Sequence, residues 1–447
     1  MSLSRSYSLR DTTQSYLCVY QCRFSSVKTT RILARRWMAY MEMGYAALVL
    51  LALTIGPVYK LWSQARTNNP SLPIDAAHIA SFTAVQLPAL FLLGKRSRMI
   101  INLRSAEFYL IALSVWFIIS SLLSDFGTYA ISNALTTALC VSTGLYLATS
   151  FNRREQIIVV ALATHAGVFL SRFAIARNWP DSLYELREWS GIYVNPNLLG
   201  PVAAVACMSL LFLVFPLHAK IPRQWRLTVG IVVADIAIFD LIVLTHTKAF
   251  TSIVSIIVAL AIGIGAFGAN QLISGDKRKL WWRNSVAVLS AGVVASMVVL
   301  YKFSSIVNGK LLPKSVIQER IFAWDFSWTG LLERPWLGWG VGVAWSNPIF
   351  RRLDLYWTVE NIGHSHSAYF DVLLSGGVIA GLLFCAYLVS AVHRMRNLEN
   401  PQQIDVVRLV LVFFCLSAAL FEPFLATNYF LWPILVMALA PDKKLIN

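Results

Sequence analysis

Charge is scarce in this chain. Asp, Glu, Lys and Arg make up 13% of its 447 residues, where a soluble protein carries roughly 25%. Hydrophobic residues reach 57%, and the mean hydropathy is +0.62. That balance excludes an ordinary soluble globular fold. Acidic residues are the scarcer sign, 22 against 38 Lys and Arg, leaving a net charge of +16. Such a charge suggests nucleic acid at first sight, but its distribution along the chain has another explanation, given below. Cysteine is sparse too. Cys140, Cys207, Cys385 and Cys415 lie inside apolar stretches as small packing residues, and Cys18 and Cys22 have no Cys or His partner at metal spacing. That excludes a disulfide framework and a zinc site. There is no clean internal repeat. There is also no Asp-x-Asp pair, so the sequence requires no metal, and no cofactor is expected. The first 37 residues are polar and basic without an apolar core, so they do not read as a secretory signal. Met38, Met41 and Met43 fit a true start equally well.

What is present is a series of apolar stretches, each near the length of about 20 residues that crosses a bilayer. They fall near 39–59, 77–94, 107–124, 128–149, 156–175, 197–216, 227–245, 250–268, 284–302, 367–390, 405–421 and 426–440. Continuous runs of this kind exclude a β-barrel, whose strands alternate. The expectation is an all-α integral membrane protein of about 12 transmembrane helices, with a long, partly helical outer loop before helix 10. Lys and Arg concentrate in alternate connections, such as Arg31, Arg35 and Arg36; Lys95, Arg96 and Arg98; Arg153 and Arg154; and Lys277, Arg278 and Lys279. That bias places both termini inside, so the positive charge is mostly a topology signal. The division is a basic inner tail at 1–38, helices 1–9 over 39–302, the outer loop at 303–366, helices 10–12 over 367–440, and an inner tail at 441–447.

Two outer segments are long, near 176–196 and 303–366. Long loops with ordered composition are usually functional. The second carries Trp324, Trp328, Trp336, Trp339, Trp345 and Trp357, with Arg320 and Arg334, and Ile317–Leu332 patterns as an amphipathic helix. Its tryptophans suit an interfacial belt, and they also suit stacking on sugar rings. The loop ends in His364-Ser365-His366-Ser367-Ala368-Tyr369-Phe370-Asp371, where a polar cluster opens an apolar helix. Two histidines at that position point to proton transfer at a membrane surface. Ser365 or Ser367 suits the helix cap, where free N–H groups also attract phosphate. Asp235 and Asp240 fall inside span seven, which costs about 2.5–3.5 kcal/mol each and turns them toward the bundle. Asp240 lies on the outer side of that span, placed to orient Lys248. Glu422 and Asn428, between the last two spans, are further candidates to line a site. His78 and His165 read as satisfied interior histidines.

Three local patterns together resemble the O-antigen ligase and polysaccharide polymerase superfamily, across roughly residues 185–440. In the long loop, Arg320 precedes Trp324 by four positions, and Pro335-Trp-Leu-Gly338-Trp-Gly340-Val-Gly342 is similar to the family's Pro-x-x-Gly-x-Gly-x-Gly run. His366-Ser367, nine residues, then Gly377 matches its His-[Asn/Ser/Gln]-x9-Gly motif. The family usually has a small or hydroxylated residue three positions later, where this chain has Ala380, followed by Gly381. The second pattern, Gly191-Ile-Tyr193-Val-Asn195-Pro-Asn197-Leu-Leu-Gly200, resembles Gly-x-[Phe/Tyr]-x-x-x-Asn-x-x-Gly. The third is Thr245-His246-Thr247-Lys248, at a turn where relatives carry Arg or Lys.

The resemblance implies an integral-membrane glycosyltransferase. It would move a glycan from an undecaprenyl-diphosphate-linked donor to an acceptor hydroxyl, on a glycan or a lipid-linked acceptor, at the periplasmic face of the bacterial inner membrane. The loop at 303–366 is then periplasmic and both termini are cytoplasmic, with the bilayer as the other partner and no nucleic acid. His366 is the expected general base, with activity falling as pH drops through about 6.5, the histidine range. Arg320 is the expected diphosphate clamp, its plainer reading being a surface salt bridge with Glu319 or Asp325. Lys248, Arg334, Asn197, Asp240, His364, Asp371 and Glu422 are the expected substrate-binding residues. Polymerase, as in exopolysaccharide synthesis, is favoured over ligase, as in lipopolysaccharide assembly, on the Trp189-x-Gly-x-Tyr pattern, Lys248 and Asp371. The competing class is a multispan transporter or flippase for lipid-linked sugars, marked elsewhere by repeats and paired broken helices. A non-enzymatic assembly partner is a more distant alternative.

Overall fold

The computed structural model describes residues 37–55, 76–96, 105–179, 182–184, 188–193, 195–218, 222–272, 282–284, 314–346, 364–398, 402–427 and 429–441. Among them the chain is helical, with an isolated antiparallel bridge between Leu183 and Trp189 and no strand. In chain order the helices are α1 (Trp37–Leu53), α2 (Ala76–Lys95), α3 (Ser105–Leu122), α4 (Gly127–Ser150), α5 (Arg153–Ala176), α6 (Pro196–His218), α7 (Arg223–Thr247) and α8 (Phe250–Leu272). They continue with α9 (Lys314–Glu333), a 3-10 turn at Ala344–Ser346, α10 (Ala368–Arg396), α11 (Gln403–Ala418) and α12 (Leu431–Leu439).

The surface is apolar where a soluble protein would be polar. On α7, Leu227, Ile231, Val232 and Ile238 are exposed, which is unfavourable in water and ordinary against lipid tails. By length and composition α4, α5, α7 and α10 can each cross a membrane. This is a helical membrane protein. The spans expected in the first half coincide with α1–α8, and α9 contains the amphipathic stretch expected at 317–332. The expected ninth span, 284–302, lies outside the described residues from 285 on.

The expected spans 405–421 and 426–440 depart from plan. The first is a helix of 16 residues and the second one of only 9. Between them the chain is irregular, and Ala426 is left-handed at φ 56°, which no right-handed helix accommodates. All nine residues of α12 are buried, so its hydrophobicity reflects a packed interior position rather than a lipid-facing stripe.

The end of the bundle away from the start of α10 is held by buried charge. Arg394 grips Glu107 in bidentate fashion at 2.6 and 3.0 Å and donates to Leu439 O at 2.6 Å, so it also closes the C-terminus of α12. Asp405, fully buried, is paired with Arg153 and Arg408. Buried carboxylates of this kind persist only when paired and hydrogen-bonded.

A break in α10 organises the opposite end. Gly376 and Gly377 leave helical geometry, Gly377 at φ 67°. A broken helix frees backbone groups that a membrane interior leaves unsatisfied unless protein supplies partners. Here the Gly-rich run supplies them. Trp339 N–H donates to Leu374 O at 2.7 Å, Gly340 N–H to Ser375 O at 3.1 Å, and Val378 N–H to Pro335 O at 2.7 Å. The Trp116 indole donates to Gly376 O at 2.7 Å. Gly338, Gly340 and Gly342 all have positive φ, and a Cβ on Gly338 would lie 2.6 Å from Leu374 O, so glycine lets the run lie against this break.

Candidate functional site

The first half of α10 hangs from that clamp, and its N-terminal end carries the histidines. Ala368 N–H donates to Ala419 O at 2.9 Å, tying the start of α10 to the end of α11. Ser365 folds back on itself: its N–H donates to Asp371 Oδ1 at 3.2 Å, its hydroxyl donates to Ser367 O at 2.6 Å, and its Oγ accepts from Ser367 N–H at 3.1 Å. Ser367 occupies the N-cap position without a side-chain cap bond. The turn therefore does what an expected serine cap would do, with Asp371 as its brace.

This turn presses the two imidazoles together, ring centroids 4.3 Å apart and edge-on. His366 N–H donates to His364 Nδ1 at 3.2 Å. With Nδ1 engaged as acceptor, a neutral His364 carries its proton on Nε2. His366 is left-handed at φ 53°, and its Nδ1 is buried without a hydrogen-bond partner among the described residues. An unsatisfied buried nitrogen costs about 1–3 kcal/mol, and backbone strain of this kind gathers at functional sites.

Arg320 reaches the same place from α9. Its Nη2 lies 3.3 Å from Glu422 Oε1, in the irregular segment after α11. This pairing is a largely buried one, not confined to the surface. Burial, reinforced by Arg320, lowers His364 to about 4. Burial, then His364, then Arg320 lower His366 to about 3. Burial raises Glu422 to about 7, with Arg320 opposing the rise. Both rings are thus neutral at physiological pH, and Glu422 titrates there.

Donor atoms of His364, His366 and Glu422 all lie within 4.8 Å of one another. Two imidazoles and a carboxylate are a ligand set that metals accept. The guanidinium already at Glu422 competes with a cation for that carboxylate, so the arrangement suits proton movement beside a fixed positive charge better than metal binding.

Beside this cluster is a cavity of about 450 Å³, within the range of small-molecule sites. His364, Asp371 and Glu422 line it, and so do Asn133 of α4 and Asn195 and Asn197 at the start of α6. Ile55 at φ 69° and Ala426 at φ 56° also line it. With His366 beside it, three left-handed non-glycine residues gather here, and Ile55 is β-branched, for which such a φ is a genuine outlier.

Of the residues expected at the site, His364, His366, Arg320, Asp371, Glu422 and Asn197 come together. Arg334 does not line the cavity: it lies 2.5 Å from Asp125 and stacks 4.3 Å over the Trp339 ring. Lys248 caps α7 in left-handed geometry and pairs with Glu188 at 3.6 Å, more than half exposed. Asp240 does not orient Lys248. It sits two turns earlier on α7, turned toward α5, where its Oδ2 lies 3.2 Å from His165 Nδ1. His165, expected to be satisfied, has that one neighbour and a buried Nε2 without a partner among the described residues. Asn428 and the side chain of His78 lie outside the described residues. Asn133 and Ile55 were missed, because nothing in the local sequence of α4 or α1 points across the bundle, and Asn195 stood in the second motif without being assigned to the site.

The second and third motifs meet each other. Trp189 stacks on His246 at 4.1 Å, and its N–H donates to His246 O at 3.0 Å. A Cβ on Gly200 would lie 2.5 Å from that of Ala249. This clip seats the Asn195–Asn197 segment, and Tyr429 OH, donating to Leu198 O at 2.8 Å, joins it to the chain that carries Glu422.

The fold defines a helical membrane protein. Residues 198–385 match the family described as O-antigen ligase, a stretch that runs from α6 past the break in α10 and holds Arg320 and both histidines. Over that stretch the chain is similar to the O-antigen ligase family. No curated protein matches it.

Proposed function

We propose that the protein transfers a glycan from an undecaprenyl-diphosphate-linked donor to an acceptor hydroxyl at the periplasmic face of the inner membrane, as a polymerase rather than a ligase, without a metal. The observation that carries this reading is the meeting of Arg320, the His364–His366 pair and Glu422 beside one cavity.

The donor sugar already bears a good leaving group. The acceptor oxygen attacks the anomeric carbon, the bond from that carbon to the diphosphate oxygen breaks, and the acceptor proton must go elsewhere. His366 receives the proton at a ring nitrogen, and Glu422, within reach and ionised above about 7, holds it afterwards. A lone imidazole lowered to about 3 is a weak base, so the carboxylate is what makes the transfer favourable. His364, its Nδ1 occupied, donates from Nε2 to an oxygen of the reacting group. Arg320 offers fixed positive charge to the departing diphosphate. The broken α10 is one feature shared with transporters, but its freed groups are bonded to the Gly-rich run, which makes the break a rigid fixture rather than a moving part.

The test is a transfer assay on purified protein with lipid-linked donor, together with thiol labelling of cysteines introduced into 303–366 using an impermeant reagent on intact cells. Glycan transfer and labelling without lysis are expected. Labelling only after lysis would overturn the orientation and the site with it.

A further inference from the structure

The described lining of the cavity beside the histidines does not suit a diphosphate. Among the described residues that line it there is no Lys or Arg, while two carboxylates, Asp371 and Glu422, do line it. Arg320 and His366, the groups suited to phosphate and to the proton, lie next to the cavity without lining it.

Its polar groups suit sugar hydroxyls. Asn133 commits its Nδ2 to Val341 O at 3.2 Å, which leaves its carbonyl oxygen to accept. Asn195 commits its Oδ1 to Leu198 N–H at 3.1 Å, which leaves its NH2 to donate. Asn197 stands beside it, and Thr137 and Thr427 add hydroxyls. Tyr129, Trp345 and Phe424 supply aromatic surface for the C–H faces of a ring. Fixed carboxamides, carboxylates and rings together make the lining a saccharide detects and a polyanion avoids.

We propose that this cavity is the acceptor pocket, built for an uncharged, hydroxyl-rich saccharide end, with the donor's diphosphate held outside it on the Arg320 and His366 side. The inference rests on the transferase reading above and adds to it which substrate occupies which space. It makes Asn197 a residue of acceptor affinity and Arg320 a residue of donor affinity.

The probe is the set of oligosaccharides released by mild acid from the surface polysaccharide of the cell that makes this protein, sorted into neutral-ended and acid-ended pools. Calorimetry on the full chain in detergent should show saturable binding of the neutral-ended pool, undisturbed by inorganic pyrophosphate. Asn197→Ala should weaken it roughly three- to tenfold, the loss of one neutral hydrogen bond, with unchanged thermal unfolding. Asn197→Asp, of the same shape, should reject the acid-ended pool further. Displacement by pyrophosphate, preference for the acid-ended pool, no binding of the neutral-ended pool, or indifference to both Asn197 variants would each overturn the pocket assignment. The parent reading fails separately: if lipid-linked donor is never turned over while neutral saccharide still binds, the transferase falls and the pocket stands.

Discussion

A Cβ on Gly377 would lie 2.3 Å from Trp336 O, closer than any side chain approaches a backbone oxygen. The last residue of the His-x9-Gly motif is thus conformationally required, at φ 67°, and sterically required against the Gly-rich run. The two halves of the strongest motif are one structure, joined across the break in α10.

Gly377→Ala should therefore damage the fold before the chemistry. A left-handed alanine and an overpacked contact together cost about 2–4 kcal/mol. The unfolding temperature in detergent should fall clearly, and activity with it. Gly44→Ala, whose Cβ meets nothing within 4 Å among the described residues, is the control and should leave both unchanged. A stable Gly377→Ala protein would mean the clamp is loose.

Arg320→Lys tests the cation. Lysine keeps the charge but loses the planar fork that pairs with phosphate and carboxylate together. Transfer should drop at least tenfold while insertion and unfolding temperature hold, and the loss should appear in donor affinity. Wild-type kinetics in this variant would reduce Arg320 to a structural partner of Glu422.

The pH profile distinguishes the imidazoles from the carboxylate. Glu422, raised to about 7 by burial, accepts a proton only when ionised, so activity should fall as pH drops through about 7. Neutral His364 and His366, lowered to about 4 and 3, contribute no limb in that range. Glu422→Gln should lower the rate and remove the limb near 7 from whatever activity remains. A limb persisting in that variant would return the titration to a histidine.

The architecture was largely legible because its signals are local. Apolar runs gave α1–α8 within a few residues, and the periodicity of 317–332 announced α9. Pairings across the bundle were not legible. Arg320 had Glu319 and Asp325 as sequence neighbours, and nothing in the residues around it pointed to Glu422, 102 positions away. Asp240 and Lys248 lie near one another in sequence, yet eight positions along a helix put Asp240 on the side facing His165. The last two spans misled because hydrophobicity reports burial and lipid contact alike, and α12 is buried all round. The paired glycines at 376 and 377 and the Pro335–Gly342 run were both visible, but that the run seals their break was not, since the seal depends on backbone groups rather than side chains.

The histidine pair gives the sharpest prediction, because the two rings are adjacent yet not equivalent. His366 has a buried ring nitrogen with no partner among the described residues, and His364 has its Nδ1 filled by the His366 backbone. His366→Ala should remove the proton acceptor and cost about 10²–10⁴ in transfer rate, with donor binding retained on Arg320. His364→Ala removes a donor and a backbone acceptor but leaves the His366–Glu422 route, so its loss should be smaller, roughly tenfold. His364→Asn should recover part of it, since its side-chain amide can donate as Nε2 does. Single-turnover measurement with preloaded donor reads the chemical step directly. If His364→Ala is the inactive variant and His366→Ala turns over normally, the proton passes through the ring that lines the cavity, and the assignment of the two histidines must be exchanged.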